Sequence, residues 1–163
     1  MTRAPFLFLI AGTVLGIAPI KASAAGSPQA GAAQPPRAAQ PTPPCGQNMP
    51  AAVRNIDPQS RCFELRTYTV REGSAIDLLH SRFRDRTTAL FRKHGMAVVG
   101  YWQPLAKPDT LIYLLAYRDS AARDVSWAAF GADPEWVKTR TEMPVSVQVE
   151  STFMGATDYS PMK

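Results

Sequence analysis

A chain of 163 residues, 45% of them hydrophobic, is long enough for one sizeable core. Its formal charge of +5 invites a nucleic-acid reading, but from Cys62 onward 13 Lys or Arg stand against 12 Asp or Glu, so the folded part is nearly neutral. The short basic cluster Arg82, Arg84, Arg86, with Asp85 in its midst, is too little for a phosphate backbone, and nucleic acid is excluded as a partner.

Residues 1–24 carry Arg3, an apolar run from Phe6 to Ile20 broken by Gly12, Gly16 and Pro19, and then Ala22-Ser23-Ala24. A charged start, an apolar middle and a small-x-small end read as a signal peptide cut near Ala24. A retained membrane anchor is the alternative, disfavoured by the shortness and interruption of the run. The expectation is a periplasmic or secreted protein that keeps no membrane attachment after cleavage. Residues 25–61 read as a linker rich in Ala, Pro and Gly. Up to Pro50 it has almost nothing large and apolar with which to offset the entropy of ordering it.

Cys45 and Cys62 bracket the approach to the domain. In an exported chain an even cysteine count permits a disulfide, and closing so short a loop stabilises by roughly 3 kcal/mol in the chain-entropy account. Two free or intermolecular thiols are the alternative. With no histidine nearby and no CxxC spacing, neither a zinc site nor a redox motif is expected, and no metal is expected elsewhere.

The domain opens on Cys62–Val70, read CFELRTYTV. Phe63, Leu65, Thr67 and Thr69 fall on one side and Glu64, Arg66, Tyr68 and Val70 on the other, which is the period-two pattern of a strand. Ser74 is the candidate cap of a helix whose stripe is Ile76, Leu79, Phe83, Thr87, Leu90 and Phe91, with Arg82, Arg84, Asp85, Arg86 and Lys93 on or beside the wet face. His94-Gly95 stops it, since an imidazole can meet free carbonyls and glycine can turn left-handed. Met96–Trp102 is a second strand with Gly100 as a possible bulge, Lys107-Pro108-Asp109 a turn, and Thr110–Tyr117 a third strand without polar alternation. Asp119 or Ser120 caps a second helix through Val125, Trp127 and Phe130 that Gly131 interrupts; Asp133-Pro134 restarts a short helix. Val145–Phe153 is the last strand.

The order β-α-β-β-α-β in about 100 residues implies an α+β, ferredoxin-like fold: an antiparallel four-stranded sheet with helices on one face. Strands two and three are apolar on both faces, so the other face needs cover. A second copy stacked sheet to sheet is the simplest cover, which makes a homodimer the expected partner.

The set Glu64-Leu65-Arg66-Thr67-Tyr68, Lys93-His94-Gly95, Val99-Gly100-Tyr101-Trp102, Tyr113, Tyr117, Trp127 and Ala132-Asp133-Pro134-Glu135-Trp136 resembles the NIPSNAP domain. The resemblance covers most of a domain placed at residues 62–154, followed by a tail at 155–163. It implies a dimeric α/β-barrel, two ferredoxin-like units closing their sheets around a shared interior. Animal members are linked to mitochondria and to vesicle or mitophagy signalling; the export signal and single domain copy set this chain apart from them, so the adaptor role is not carried over. The wider superfamily of similar fold includes cofactor-free monooxygenases, haem-dependent chlorite dismutases and dye peroxidases, and muconolactone isomerase-like enzymes.

Neither histidine sits in a catalytic motif. His80 borders the apolar stripe of the first helix and His94 is a helix stop; both are weak candidates for a ligand or a base. The stronger candidate is the polar side of the first strand. Glu64, Arg66 and Tyr68 must pair or meet polar partners if buried, as a structural network or as a small cavity whose arginine takes an anionic or enolic ligand. Tyr113, Tyr117, Gln148 and Glu150 are candidates to extend either arrangement. The expected function is binding or structural, without a cofactor. The alternative is a cofactor-independent oxygenase or isomerase acting on a small aromatic or enolisable compound, with haem use a weaker third choice.

Overall fold

Strand β1 (Cys62–Val70) lies inside the sheet and organises it. In a computed structural model that describes residues 42–46, 49 and 53–163, β1 pairs antiparallel with β3 (Thr110–Tyr117) on one side and β4 (Val147–Gly155) on the other. Strand β2 (Ala97–Trp102) completes the order β2-β3-β1-β4. The register between β2 and β3 shifts between Val98 and Gly100, the irregularity that Gly100 suggested. The segment expected to be a signal peptide and most of the expected linker lie outside the described residues.

The expected first helix is one continuous run in three pieces: α1 (Ile76–Arg82), a π-helical turn (Phe83–Thr87) and α2 (Thr88–Lys93). Ser74 does not cap it; Ala75 is the N-cap, and the Ser74 hydroxyl instead accepts from the Ser146 N–H at 3.0 Å, tying the helix start to the approach to β4. The π turn closes where the Thr88 N–H reaches back to the Phe83 carbonyl, which also accepts from Thr88 Oγ1 at 2.7 Å. At the far end Gly95 takes φ +74°, the Gly95 N–H bonds the Arg92 carbonyl and the Met96 N–H bonds the Phe91 carbonyl. That is a Schellman stop, and it is why glycine stands there.

Asp119 caps α3 (Ser120–Ala132) by accepting from the Ala122 N–H at 2.8 Å, and the helix runs through Gly131 rather than breaking at it. Asp133 caps α4 (Pro134–Glu142), with proline in the first turn where its missing N–H costs nothing.

The helices cover one face of the sheet. The main core joins Leu79, Phe83, Leu90, Phe91 and Phe130 of the helices to Cys62, Leu111, Tyr113, Leu115 and Tyr117 of the strands, and those strand residues share one face of the pleat. The opposite face carries a smaller cluster of Phe63, Ala116 and Ala156, against which Val99 and Leu114 pack half-buried.

Residues assigned to the linker reach this domain. Cys45 is bonded to Cys62 as a disulfide, Gly46 bridges to Asp119, and Ile56 bridges to Thr157. Close by, Ser60 Oγ accepts from the Ala156 N–H at 2.7 Å, and the Lys163 ammonium pairs with Asp57 at 2.9 Å. The described residues before β1 are therefore tied to one end of the sheet, where β1 starts and β3 and β4 finish, rather than hanging from it.

Candidate functional site

Glu64, Arg66 and Tyr68 face the helices, not the open side of the sheet. The residues on the open face of β1 are Phe63, Leu65, Thr67 and Thr69, so a second sheet stacked there would meet these and not the polar side. The reason lies on α3, which brings Arg123 and Trp127 over Glu64 and supplies the donors that a carboxylate in the core requires.

Glu64 is fully buried at 0% exposure. Its Oε1 accepts from Arg66 Nη1 at 2.5 Å and Arg123 Nη2 at 3.0 Å; its Oε2 accepts from Arg123 Nε, Trp127 Nε1 and the Tyr117 hydroxyl, each at 3.1 Å. Burial alone would raise the Glu64 carboxyl, but the hydrogen bonds and charge of Arg123 and Arg66 outweigh it and hold the group below its ordinary value. Tyr117 is pushed the other way, up, by burial and by the carboxylate beside it. With every acceptor position taken, Glu64 ties α3 to β1 and β3.

Arg66 is spoken for as well. Besides Glu64 it donates from Nη2 to the Tyr68 hydroxyl at 3.3 Å, and its guanidinium lies 4.4 Å from the centroid of the Trp127 ring. The Tyr113 hydroxyl, in the fully buried residue beneath, has no hydrogen-bond partner among the described residues, nor does Arg66 Nε.

Beside this network a cavity of about 200 Å³ opens between the sheet and the helices. Its walls are aromatic: Phe83 and Phe91 from the first helix, Trp127 and Phe130 from α3, Trp136 from α4, and Tyr68 from the sheet. The polar groups on it are Arg82, Arg140 and Thr87. Both guanidiniums approach the Trp136 ring, at 5.6 Å for Arg82 and 5.9 Å for Arg140. Arg82 is only 5% exposed and Thr87 1%, yet Arg82 Nε and the Thr87 hydroxyl have no partner among the described residues. Arg82 Nη1 donates to the Met143 carbonyl at 3.3 Å, and neither arginine forms a salt bridge. All the Asp and Glu of the chain lie at or after Asp57, within the described part, so no other carboxylate is on hand. Burial pulls the Arg82 guanidinium below its ordinary value, and the like charge of Arg140 adds to the effect. The cavity has positive charge, free donors and aromatic surface, and no carboxylate lines it.

The remaining expected residues divide. Tyr113 and Tyr117 join the Glu64 face, whereas Gln148 and Glu150 do not: Glu150 pairs with Thr67 and Gln148 with Thr69, on the open face, so they are removed from this cluster. His80 is half-buried and its Nε2 bonds the Gln103 side chain at 3.0 Å. His94 bonds Asp133 at 2.6 Å beside a 2.8 Å salt bridge from Lys93, joining the end of α2 to the cap of α4. Arg82, Thr87, Trp136 and Arg140 were not among the expected site residues. Arg82 was placed on or beside the wet face and is buried; its position three residues after Leu79 already put it next to the apolar stripe.

The NIPSNAP family model matches residues 63–161. The chain belongs to the NIPSNAP family. Among solved structures, this NIPSNAP domain is similar to a NIPSNAP family protein of unknown function from Agrobacterium tumefaciens, with a TM-score of 0.56 and 22% identity over 63% of this chain and 94% of that one. A NIPSNAP-like domain protein from Burkholderia xenovorans gives 0.55 and 21% over 62% and 89%. A second Agrobacterium tumefaciens NIPSNAP protein gives 0.55 and 19% over 63% and 99%. These likenesses establish the fold. No curated protein matches the chain.

Proposed function

We propose that this NIPSNAP protein is an exported homodimer that binds a small aromatic acid or phenolate, without a cofactor, in the cavity between the sheet and α3–α4. The observation that carries the reading is the pair Arg82 and Arg140, which flank Trp136 on an aromatic-walled cavity with no carboxylate to pair with. Arg140 is exposed, but Arg82 is only 5% exposed and an unpaired cation away from water is costly; an anionic ligand supplies the missing charge. A volume of about 200 Å³ falls below the ~300 Å³ at which drug-sized pockets begin, so the ligand is a single ring with one acidic group. Export is supported by the charged, apolar and small-residue order of residues 1–24. Dimerisation is supported by the open sheet face, where Leu65, Ile112 and Leu114 are only half-buried and Met154 is 36% exposed.

The catalytic alternative, a cofactor-independent oxygenase or isomerase, uses the same cavity, because two arginines that hold a carboxylate also hold an enolate. Thermal-shift measurements against a panel of small aromatic acids and phenols test the binding reading. A ligand stabilises only the state that binds it, so wild type should gain melting temperature from at least one acid and Arg82→Gln should lose that gain. Equal shifts in both proteins would refute a site at Arg82.

A further inference from the structure

The other flank of the same helix carries a second concavity, of about 450 Å³, floored by Phe83 and Leu111 and bounded by Tyr101 of the edge strand β2. Into it the helix presents His80, Arg84, Thr88 and Arg92, one residue in every four. In an unbroken α-helix residues four apart drift round the axis by about 40° per step, so such a row would wind off the groove. The wider π turn at Phe83–Thr87 takes back part of that rotation and keeps the row on one flank. Thr88 fixes the turn by donating to the Phe83 carbonyl and sharing a 2.9 Å hydrogen bond with the Tyr101 hydroxyl.

Donors dominate this groove. Among the described residues Arg84 and Arg92 form no salt bridge, His80 hydrogen-bonds only the Gln103 amide oxygen, and no carboxylate lines the concavity. We infer that the groove is a second, independent binding site for an organic oxyanion, a phosphate or carboxylate held by the forks of Arg84 and Arg92, with an apolar body resting on Phe83 and Leu111. Arginine is suited to this role because its rigid fork matches both oxyanions in a two-point contact. The site stands apart from the Arg82 cavity, from which it is separated by Phe83, a wall common to both.

The test is a titration of the mature protein with phenyl phosphate, followed by two-dimensional NMR at constant ionic strength, with inorganic phosphate as the second probe. Saturable shifts should gather on Arg84, Thr88, Arg92 and Tyr101, and phenyl phosphate should bind more tightly than inorganic phosphate. The double variant Arg84→Gln/Arg92→Gln, at exposed positions, should weaken phenyl phosphate at least tenfold, while Arg82→Gln leaves these shifts in place. Absence of saturation, shifts spread evenly over the basic surface, or unchanged affinity in the double variant would each overturn the assignment. Shifts at Trp136 and Arg140 alone would place the probe in the other cavity and also overturn it.

Discussion

Replacing Glu64 by Gln is nearly isosteric and removes one charge from the centre of the domain. In the native protein each carboxylate oxygen is surrounded by donors: Arg66 and Arg123 at Oε1, and Arg123, Trp127 and Tyr117 at Oε2. A glutamine must put its amide nitrogen, itself a donor, into one of these two positions. The Tyr117 hydroxyl can turn its proton away and the Trp127 N–H keeps its 2.8 Å bond to that hydroxyl, but the arginine N–H groups can only donate. Arg66, 12% exposed, is then left without its counter-charge, and Arg123, 18% exposed, keeps only its 3.2 Å pair with the exposed Asp124. Breaking a buried pair by removing one partner typically costs 3–5 kcal/mol, and Arg123 near the surface recovers part of that through water, so about 3 kcal/mol is expected. For a domain of roughly 100 residues this corresponds to a fall of about 15 °C in melting temperature. Urea unfolding monitored by circular dichroism reads the change directly. A loss below about 1 kcal/mol would refute the claim that Glu64 anchors α3 to the sheet.

Peptide mapping of the exported, nonreduced protein should recover Cys45 joined to Cys62, and reduction should destabilise it by about 3 kcal/mol; both thiols open to alkylation without reduction would contradict this. Light scattering at micromolar concentration should return twice the monomer mass, and Leu114→Asp on the open face should return one; a monomeric wild type would sink the dimer. Asp133 is held well below the usual carboxylate range by its bonds from Lys93 and His94. A carboxyl lowered on folding contributes stability that is full above its unfolded value near ~3.9 and declines as pH falls from there toward the native value. Urea midpoints of wild type and Asp133→Asn should therefore differ at neutral pH and converge under strong acid, and parallel profiles would count against the ion-pair account.

The period-two reading of β1, the helix stripe and the order of elements were legible because each is local: a strand alternates, a helix repeats, and Gly95 ends a turn. The face on which Glu64 lands was not, because its partners Arg123 and Trp127 lie 59 and 63 residues away, and only the tertiary fold brings α3 over β1. Gln148 and Glu150 show the same limit. Their side of β4 was readable, but whether that side matches Glu64 depends on the register that sets Arg66 against Ser151. Arg82 was obscured by its company: beside Arg84 and Arg86 it reads as a surface charge, yet it is one residue from Phe83 and turned inward against Trp136. The π turn has no signature that the stripe of Phe83, Thr87 and Leu90 does not share with an ordinary helix.

The central claim, an acid-binding cavity at Arg82, is tested most directly by the tryptophans that wall it. In a Trp102→Phe background, which removes the exposed indole, the remaining emission comes from Trp127 and Trp136, both on the cavity. Titration with 4-hydroxybenzoate and related single-ring acids should change that emission saturably for at least one compound, and Arg82→Gln in the same background should abolish the change. A response that is linear in every acid, or equally saturable with and without Arg82, would contradict the account.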